Sequence, residues 1–357
     1  LILAFTLAQM FIALMNLLSE TSLPRVVTKP SEMVSVMIPA RNEENNIGNI
    51  LHDLINQEYT NIEIIVFDDQ SEDKTREIVK EFSARDSRIR LVSSEGLPEG
   101  WIGKNYACYS LSKHSKGDYL MFLDADVRIG NNTIGKAVSY AKEHSLSLIS
   151  IFPKQIIKSI GEKITVPNMN YILLSLLPLI LVRKSKFSSL SAANGQFMFF
   201  NARVYHSVEP HKLMKNNKVE DISIAGYLKE KRFKISCLVG DNHINCRMYT
   251  GFNDATAGFS KNVIAFFGNS FLLAVVFWLV TTFGFIAVLF FLSKGFLFVY
   301  LAAYLFTRVL ISIASRQNII YNLGFIVPLQ ISMGIFIYRA SINKYFRKYQ
   351  WKGRNIE

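Results

Sequence analysis

The chain has 357 residues, half of them hydrophobic, and a formal net charge of +12. This length allows one large domain or two ordinary ones, and the apolar share argues against an enzyme that is soluble throughout. The three cysteines (108, 237 and 246) lack the spacing of a disulfide framework or a zinc site, which favours a reduced, cytoplasmic compartment.

The positive charge lies in clusters, and two of these flank apolar stretches. Such placement is typical of side chains held at a lipid headgroup layer. Neither a zinc-ligand spacing nor the aromatic pattern of an RNA-binding module accompanies the clusters. We therefore expect a membrane, and no nucleic acid, among the partners.

The first apolar block is Leu1–Leu18, which carries no charge. A signal peptide has a similar composition, but no basic region precedes the block and no clear cleavage site follows it. We therefore predict a membrane anchor helix within residues 1–20. Arg25 and Lys29 follow it, so the positive-inside rule predicts that the next domain is cytoplasmic. Together with the apolar runs near the end of the chain, this predicts a multi-pass protein of the cell membrane.

Residues 31–260 form the predicted cytoplasmic domain, in which short apolar runs alternate with amphipathic stretches. The runs predict strands over Val34–Ile38, Ile62–Asp68, Ile89–Ser93 and Tyr119–Leu123. The stretches between them predict helices over Asn45–Gln57, Lys74–Ser83 and Lys104–His114. Strands that alternate with helices indicate an α/β fold with a mainly parallel, Rossmann-like sheet.

An apolar stretch at about residues 166–182 lies inside this domain and contains Pro167 and Pro178. A full crossing would put the acidic motifs before and after it on opposite sides of a membrane. We therefore predict an interfacial helix that lies in the headgroup region. A buried core helix is the alternative.

Residues 271–338 contain further apolar runs, and the first of them is long enough to cross about 30 Å of hydrocarbon. They are Phe271–Leu292, Gly295–Ala314 and Asn318–Tyr338. Three crossings would place the basic tail, residues 339–357, outside, so either one segment is re-entrant or the positive-inside rule fails here. Arg308, inside the second run, should face a protein or water-filled interior. Snorkelling or helix pairing is its alternative role.

Polar motifs follow three of the predicted strands. Pro39–Glu44 ends the first strand, Asp68–Asp73 the second and Asp124–Asp126 the fourth. An open parallel sheet binds ligands outside the carboxyl ends of its strands, where these motifs fall. For Asp73 we favour a local role at the start of the following helix.

Asp124 and Asp126 are separated by one residue. In an extended segment such positions point to the same side, so the two carboxylates share one patch. A divalent cation that also binds phosphate oxygens most simply relieves their repulsion; a plain surface turn is the alternative. A phosphate-binding loop at Lys104 is excluded, because Pro98 stands where that motif requires Gly and Asn105 where it requires Ser or Thr.

Together with Gly103–Asn105 and the Glu-Asp pair at 220–221, these motifs resemble the family 2 glycosyltransferases of the GT-A fold, over roughly residues 34–260. The resemblance implies a nucleotide-sugar donor and Mg²⁺ or Mn²⁺ as cofactor. It implies donor contacts from Pro39, Arg41, Glu43, Asp69, Lys104 and Asp124. It also implies Asp126, together with Asp124, as the metal ligands.

The same resemblance implies that Glu220 and Asp221 are catalytic, with Asp221 as general base. A hydroxyl acceptor is a poor nucleophile until a positioned carboxylate takes its proton. One displacement at the anomeric carbon would then invert its configuration. Helix capping is the alternative role for this pair.

On the acceptor or diphosphate side, Asn194–Met198 resembles the family's acceptor segment, which implies roles for Gly195 and Gln196. Arg247 and Lys261 are candidates to hold the diphosphate or an acceptor anion. For these two residues, a role as juxtamembrane cations is the alternative.

The segment from Arg247 to Lys261 resembles bacterial carotenoid-acid glucosyltransferases of the diaponeurosporenoate type. It lacks the Gln-x-x-Arg-Trp signature of processive polymer synthases. The expected function is therefore inverting transfer of a single sugar, from a UDP-linked donor, to a membrane lipid or carotenoid-type acceptor. A processive polysaccharide synthase of the same fold and a non-catalytic membrane scaffold are the alternatives.

Overall fold

A computed structural model describes residues 1–19, 21–24, 30–346, 350–351 and 354–355. Residues named in the predictions for the anchor, its orientation and the basic tail lie outside this description: Glu20, Arg25, Lys29, 347–349, 352–353 and 356–357. The strands are β1 (Val34–Ala40), β2 (Ile62–Asp68), β3 (Ile89–Ser93), β4 (Tyr119–Leu123), β5 (Val127–Ile129), β6 (Leu148–Phe152), β7 (Lys154–Gln155), β8 (Phe197–Asn201), β9 (Ile235–Val239), β10 (Ile244–Cys246), β11 (Gln350–Trp351) and β12 (Arg354–Asn355).

The helices, in chain order, are α1 (Ile2–Leu18), α2 (Ile47–Ile55), α3 (Thr75–Arg85), α4 (Gly103–Lys113), α5 (Thr133–Glu143), α6 (Ile160–Lys163), α7 (Pro167–Leu176), α8 (Leu179–Lys184), α9 (Ala202–Val208), α10 (Pro210–Leu213), α11 (Glu220–Glu230), α12 (Phe252–Asn262), α13 (Phe271–Phe291), α14 (Lys294–Ala314), α15 (Ile319–Gly324) and α16 (Ile326–Phe346).

The chain divides into two compact units, each built from separate stretches of sequence. The sheet unit comprises Ser22–Lys154 and Leu181–Cys246. The helical unit comprises Leu1–Thr21, Gln155–Ile180 and Arg247–Glu357. The sequence-based domain limits stay a prediction.

A seven-stranded sheet of order β3-β2-β1-β4-β8-β6-β9 forms the centre of the sheet unit. The strands β1 to β4 pair in parallel, as do β6 and β9, whereas β8 runs antiparallel to β4 and β6. The mainly parallel α/β fold is thus confirmed. All four predicted strands are present, and β1 extends two residues beyond the predicted Ile38, to Ala40.

The apolar runs form strands because both faces of this sheet are covered. Every residue of β2 and of β4 is buried, as expected for the inner strands of a mainly parallel sheet. The helix α2 buries Ile47, Ile50, Leu51 and Leu54, which lie on one helical face. Burying one such side chain completely contributes about 1.5–3 kcal/mol.

The loops after β1 and β2 hold each other at the carboxyl end of the sheet. Asn42 and Gln70 adopt left-handed backbone angles, with φ of 53° and 57°. The N–H of Asn42 donates to Ser71 Oγ at 3.1 Å, and the N–H of Glu72 donates to Asn42 Oδ1 at 2.9 Å. Asn is well suited to this position, since it tolerates left-handed angles and its short amide bonds nearby main chain.

Asp73 has the local role that the sequence favours. Its carboxylate accepts hydrogen bonds from the N–H of Thr75 and from the N–H of Glu44, both at 3.0 Å. The side chain therefore joins the start of α3 to the loop after β1.

In the helical unit, α13 and α14 are each 21 residues long and are long and apolar enough to cross a membrane by length and composition. The N-terminal helix α1 is shorter, at 17 residues, and packs against α14, α7 and α13. The helix α13 exposes large apolar side chains such as Phe283 and Phe290. Lipid is a suitable surrounding for such a surface.

The fourth predicted apolar run forms two helices rather than one. The short helix α15 is capped by Asn318, whose Oδ1 accepts from the N–H of Tyr321 at 2.9 Å. The helix α15 ends at Gly324, and α16 begins after Phe325. Pro328 lies in the first turn of α16, where the missing N–H of proline costs no intrahelical hydrogen bond.

The predicted interfacial segment forms α7 and α8, which are interrupted at Leu177 and Pro178. Asn16 of α1 satisfies the main chain at this break: Nδ2 donates to the carbonyl oxygens of Leu174 and Leu177 at 3.0 and 2.9 Å, and Oδ1 accepts from the N–H of Leu179 at 2.7 Å. Most residues of α7 are buried. A placement at the membrane interface stays a prediction.

Arg308 faces the interior of the helical unit, as predicted. Its side chain is 3% exposed, and its guanidinium carbon lies 3.5 Å from the ring centroid of Tyr171. Nη2 donates to Tyr304 Oη at 3.1 Å. The contacts with two tyrosines disperse its charge, which fits the helix-pairing role as well as a functional one.

We predict that His211 makes the sheet unit sensitive to acid. Burial, together with the positive charge of Lys104, lowers the pKa of His211 to about 3. The unfolded chain therefore binds a proton that the folded chain excludes between about pH 6.5 and 3. This contribution to stability is fully present above pH 6.5 and is lost, at about 1.4 kcal/mol per pH unit, as the pH falls through that window.

The measurement is the apparent melting temperature in detergent from pH 7 to 4.5. A His211→Asn variant should melt lower at pH 7, because it loses the contact with Tyr205 Oη at 2.7 Å, but should show a flatter pH dependence. The exposed His206→Asn serves as the control and should follow the wild type. Equal slopes for wild type and His211→Asn would contradict the assignment.

Candidate active site

Lys104 is the shared partner of Asp124 and Glu220 in the sheet unit. It lies in the first turn of α4, and its Nζ is 2.7 Å from Asp124 Oδ1 and 4.0 Å from Glu220 Oε1. The same nitrogen donates to the carbonyl oxygen of Gly195 at 3.2 Å. Residues predicted for the donor, for catalysis and for the acceptor side are therefore neighbours.

The register of the sheet explains why Asp124 and Gln196 meet. Strands β4 and β8 pair antiparallel with Leu123 opposite Phe197, so the next two residues outward are Asp124 and Gln196. The N–H of Asp124 donates to the carbonyl oxygen of Gln196 at 3.1 Å. An antiparallel strand begins where its neighbour ends, which joins two motifs that are distant in sequence.

Gly195 lies beside Lys104, Glu220 and Asp221, and a side chain at this position would crowd them. Its N–H donates to Asp221 Oδ2 at 2.8 Å. A Cβ added to Gly195 would lie 3.1 Å from Lys104 Nζ and 3.2 Å from Glu220 Oε1. The close approach of the main chain to these groups therefore favours glycine at this position.

Two residues that the sequence did not indicate, Ser150 and Asn194, hold the segment before β8 in place. The N–H of Asn194 donates to Ser150 Oγ at 2.7 Å, and this hydroxyl donates to the carbonyl oxygen of Asn194 at 3.1 Å. The N–H of Gln196 donates to Asn194 Oδ1 at 2.8 Å. Ser150 lies inside the apolar strand β6, so no local pattern distinguishes it from a core residue.

Glu220 and Asp221 occupy the first turn of α11, where the helix dipole favours acidic side chains. The N-cap is Val219, so neither side chain takes the N-cap position. Asp221 Oδ1 accepts from the N–H of Ile222 at 2.8 Å, while Oδ2 accepts from Gly195. The carboxylate of Asp221 is thus fixed at both oxygens by main-chain donors.

Four buried or half-buried carboxylates, those of Asp124, Asp126, Glu220 and Asp221, lie around the single ammonium group of Lys104. Burial raises the pKa of Asp126 to about 7, and repulsion from Asp124 adds to this. Burial also raises the pKa of Glu220 to about 7, against the opposing charge of Lys104, and raises that of Asp221. Burial disfavours the charge on Lys104, but Asp124 and Glu220 outweigh it and raise the pKa of the ammonium. The cluster therefore favours a further cation.

The residues at Asp126 fit a divalent cation that a phosphate group completes. Asp126 Oδ1 and Gln196 Oε1 are buried oxygens that have no hydrogen-bond partner among the described residues. Nε2 of Gln196 donates to Cys246 Sγ at 2.9 Å and lies 3.5 Å from Asp126 Oδ2. Buried oxygens of this kind are normally bonded, and oxygen is the ligand that Mg²⁺ and Mn²⁺ prefer.

The protein does not supply a complete cage for such an ion. Within the described residues, no group of three or more His, Cys, Asp and Glu side chains is placed to hold a metal. Magnesium sites that act on phosphates commonly use one or two carboxylates and take the other ligands from substrate and water. The donor set therefore fits a cation that arrives with a diphosphate.

The remaining predicted donor residues, Pro39, Arg41, Glu43 and Asp69, lie in β1 or in the loops after β1 and β2. Arg41 Nη1 donates to the carbonyl oxygens of Asp69 at 2.7 Å and Gln70 at 3.2 Å. Glu43 Oε2 accepts from Asn46 Nδ2 at 2.8 Å. Arg41 thus shapes the loop that carries Asp69. Contact of these residues with a nucleotide stays a prediction.

Arg247 and Lys261 belong to the helical unit. Arg247 Nη2 lies 2.8 Å from Glu162 Oε1, and the same carboxylate oxygen accepts from Ser159 Oγ at 2.9 Å. Lys261 lies in α12, where burial lowers its pKa. Arg247 therefore has a structural partner within its own unit, and the anion-binding roles of both residues stay predictions.

Residues 35–231, more than half of the chain, match the family model described as Glycosyl transferase family 2. The chain belongs to this family. Its fold agrees: the mannosyltransferase PcManGT from Pyrobaculum calidifontis, solved in complex with GDP-Man and Mn²⁺, matches with a TM-score of 0.61 at 15% identity, over 98% of this chain and 100% of that one. At that identity the likeness shows the GT-A type of fold alone.

Two similar curated proteins carry the name 4,4'-diaponeurosporenoate glycosyltransferase. The protein from Staphylococcus haemolyticus (strain JCSC1435) is 30% identical over 242 residues, which is 65% of this chain and 61% of the relative. That from Staphylococcus aureus (strain USA300) is 25% identical over 259 residues, 69% of this chain and 65% of the relative. The chain thus spans less than two thirds of the length of these relatives.

We predict that Gly195→Ala in this family 2 chain lowers turnover roughly tenfold to hundredfold while the fold survives. The added methyl group displaces the flexible ends of Lys104 and Glu220 and leaves the backbone conformation allowed. The measurement is kcat beside the apparent melting temperature.

The matched control is Gly226→Ala, inside α11, where the new Cβ would meet Ser191 Oγ at an ordinary 3.7 Å. This variant should keep wild-type kcat and gain up to about 1 kcal/mol of stability from helix propensity. Wild-type kcat in Gly195→Ala would contradict the proposed crowding of the site.

Proposed function

We propose that this chain transfers a single sugar from a UDP-linked donor to a hydrophobic, carotenoid-type acceptor at a membrane. The observation that carries the proposal is the convergence of Asp124, Glu220 and Gly195 on Lys104 within one unit. Motifs from separate parts of the sequence meet there, as a reacting centre requires. Membership of family 2 supports transfer of a glycosyl group.

For the donor, we propose that Lys104 lies near the nucleotide diphosphate. The ammonium is charged at neutral pH and lies beside Asp124, at the carboxyl end of β4, where open α/β sheets bind ligands. Asp126 and Asp124 would hold Mg²⁺ or Mn²⁺, and a bound cation would offset the charge of the departing diphosphate. PcManGT, which shares the fold, was solved with Mn²⁺, and this supports the use of a divalent metal here.

For catalysis with a hydroxyl acceptor, we propose Asp221 as the group that receives the acceptor proton. Both of its oxygens are held by main-chain N–H groups, which orient the carboxylate. Glu220, beside Lys104, is the second candidate, since a group with a pKa of about 7 can exchange protons near neutral pH. With one displacement, an α-linked donor would give a β-linked product.

For the acceptor, we propose a molecule with a long apolar body and one polar end. The name of the curated relatives supports a carotenoid acid, whose carboxylate is the nucleophile. A carboxyl group titrates near pH 4 and is already ionised at neutral pH, so it needs no general base. A lipid hydroxyl, by contrast, requires one.

For location, we propose a multi-pass protein of the cell membrane with its catalytic domain in the cytoplasm. The apolar helices α13 and α14 support membrane crossing. The free, buried thiols of Cys108, Cys237 and Cys246 fit a reducing compartment. The segment of α7 and α8 is proposed to lie at the interface, beside the lipid acceptor.

The decisive experiment incubates membranes that carry the full chain with isotope-labelled UDP-sugars and analyses the lipid extract by mass spectrometry. We expect one labelled hexose per acceptor, only when a carotenoid acid or another lipid acceptor is present. A ladder of longer products would contradict single transfer and indicate a processive synthase. If no UDP-sugar gives a labelled product or releases UDP, the chain is not a glycosyltransferase, and the non-catalytic membrane scaffold is the alternative that is left.

We also predict that Asp221→Asn distinguishes the two acceptor classes. The amide keeps the size of the side chain but cannot accept a proton, so kcat for a hydroxyl acceptor should fall on the order of 10²–10⁴-fold. With a carotenoid acid, kcat should stay within roughly tenfold of wild type. The measurement is kcat with one acceptor of each class.

Glu220→Gln is the matched comparison for this test. If Glu220→Gln, rather than Asp221→Asn, selectively abolishes transfer to the hydroxyl acceptor, the base is Glu220. If both variants keep wild-type kcat with that acceptor, neither residue is the base.

A further inference from the structure

Asn105 is buried at 0% exposure next to Lys104, and nothing in the proposed chemistry uses it. It lies in the first turn of α4. Its Nδ2 donates to the carbonyl oxygens of Met214 at 2.7 Å and Asn217 at 3.0 Å. The carbonyl oxygen of Lys215 lies farther, at 3.4 Å. An amide has two N–H donors, so the two short contacts use both of them.

The bonded segment, residues 214–217, leads directly into the acidic pair. A second bond ties it to the start of α4, since the N–H of Ile102 donates to the carbonyl oxygen of Lys215 at 2.8 Å. Asn217 then organises the start of α11: its Oδ1 accepts from the N–H of Val219 at 2.9 Å, and its Nδ2 donates to Ser223 Oγ at 2.8 Å. Three residues after Asn217 the chain reaches Glu220.

The contacts form a closed circuit within the sheet unit. From Asn105 they pass through residues 214–217 to Asp221, from Asp221 to the N–H of Gly195, and from the Gly195 carbonyl back to Lys104. Two adjacent residues of α4, Lys104 and Asn105, thus contact the two segments that meet at Asp221. Lys104 bonds the reacting groups, and Asn105 holds the loop that delivers the acidic pair.

We propose that Asn105 is a positioning residue, which fixes Glu220 and Asp221 relative to Lys104 by holding residues 214–217 against α4. The inference rests on the proposed function. A short, uncharged amide suits this place, because its two N–H donors can bond two carbonyl oxygens at once. An aspartate of the same shape would bring a carboxylate against those oxygens.

The test compares Asn105→Ala and Asn105→Asp with Ser112→Ala as the matched control. Ser112 is a buried polar residue of the same helix, and its Oγ donates to the Tyr109 carbonyl at 2.6 Å. Kinetics use the full chain in detergent with UDP-sugar and a hydroxyl acceptor, and calorimetry gives the Kd for UDP with Mn²⁺. We expect kcat to fall at least about tenfold in Asn105→Ala and further in Asn105→Asp. The Kd for UDP should change less than about threefold, and Ser112→Ala should keep wild-type kcat.

A double-mutant cycle with Asp221→Asn separates positioning from a general loss of folded protein. If Asn105 acts through the acidic pair, Asn105→Ala should lower kcat much less in the Asp221→Asn background than in the wild type. The inference would be overturned if Asn105→Ala lowered kcat by the same factor in both backgrounds. It would also be overturned if the loss of kcat equalled the loss of protein able to bind UDP. Wild-type kcat in Asn105→Ala would do the same.

The wild-type chain is measured in the same assay. Absence of transfer by the wild type would count against the proposed function, whereas the inference on Asn105 fails only when the wild type is active and the variants follow it. The two failures are therefore distinguishable.

Discussion

Lys104 is half-buried in the sheet unit and lies among a larger number of carboxylates, and this imbalance of charge governs the site. Lys104 bonds Asp124 and lies near Glu220. Burial, and then the charge of Asp124, raise the pKa of both Asp126 and Asp221. Burying several carboxylates around one cation costs free energy unless protons or metal ions neutralise the excess. Such a cluster attracts a positive ion, and that ion can in turn bind a diphosphate.

The fold brings these groups together by reversing one strand. Because β8 runs antiparallel beside β4, its first residues meet the last residues of β4, and Gly195 and Gln196 reach Asp124. A wholly parallel sheet would place the start of that strand at the opposite edge. The carbonyl oxygen of Gly195 then bonds Lys104, and its N–H bonds Asp221. Because Gly195 has no side chain, Lys104, Asp221 and Glu220 can all approach it.

Much of this arrangement could be predicted from sequence. Apolar runs of five to seven residues predicted β1 to β4, and the motif after β4 located Asp124 and Asp126 at the sheet edge. Lys104, Glu220 and the Gly195 segment were connected to them by resemblance, since their spacing in sequence does not reveal that they meet.

Other features had no local signal. The partners of Asn105 and Asn194 lie far along the chain, and a buried amide or hydroxyl in an apolar element has the same appearance in sequence whatever it bonds. The split of the last apolar run at Phe325 has no such signal either, because Pro328 lies beyond it, in the first turn of α16. Proline in a first turn is compatible with a helix, so it marks a start as readily as a break.

The most direct test of the charge imbalance is the binding of Mn²⁺, followed by the loss of the free-ion signal in electron paramagnetic resonance. The wild-type chain should bind one Mn²⁺ with UDP present, and Asp126→Ala should weaken this binding at least about tenfold. The exposed Glu143→Gln, on α5, should bind as the wild type does. Equal Mn²⁺ affinity in Asp126→Ala and wild type, or no binding by the wild type with UDP, would contradict the proposed centre.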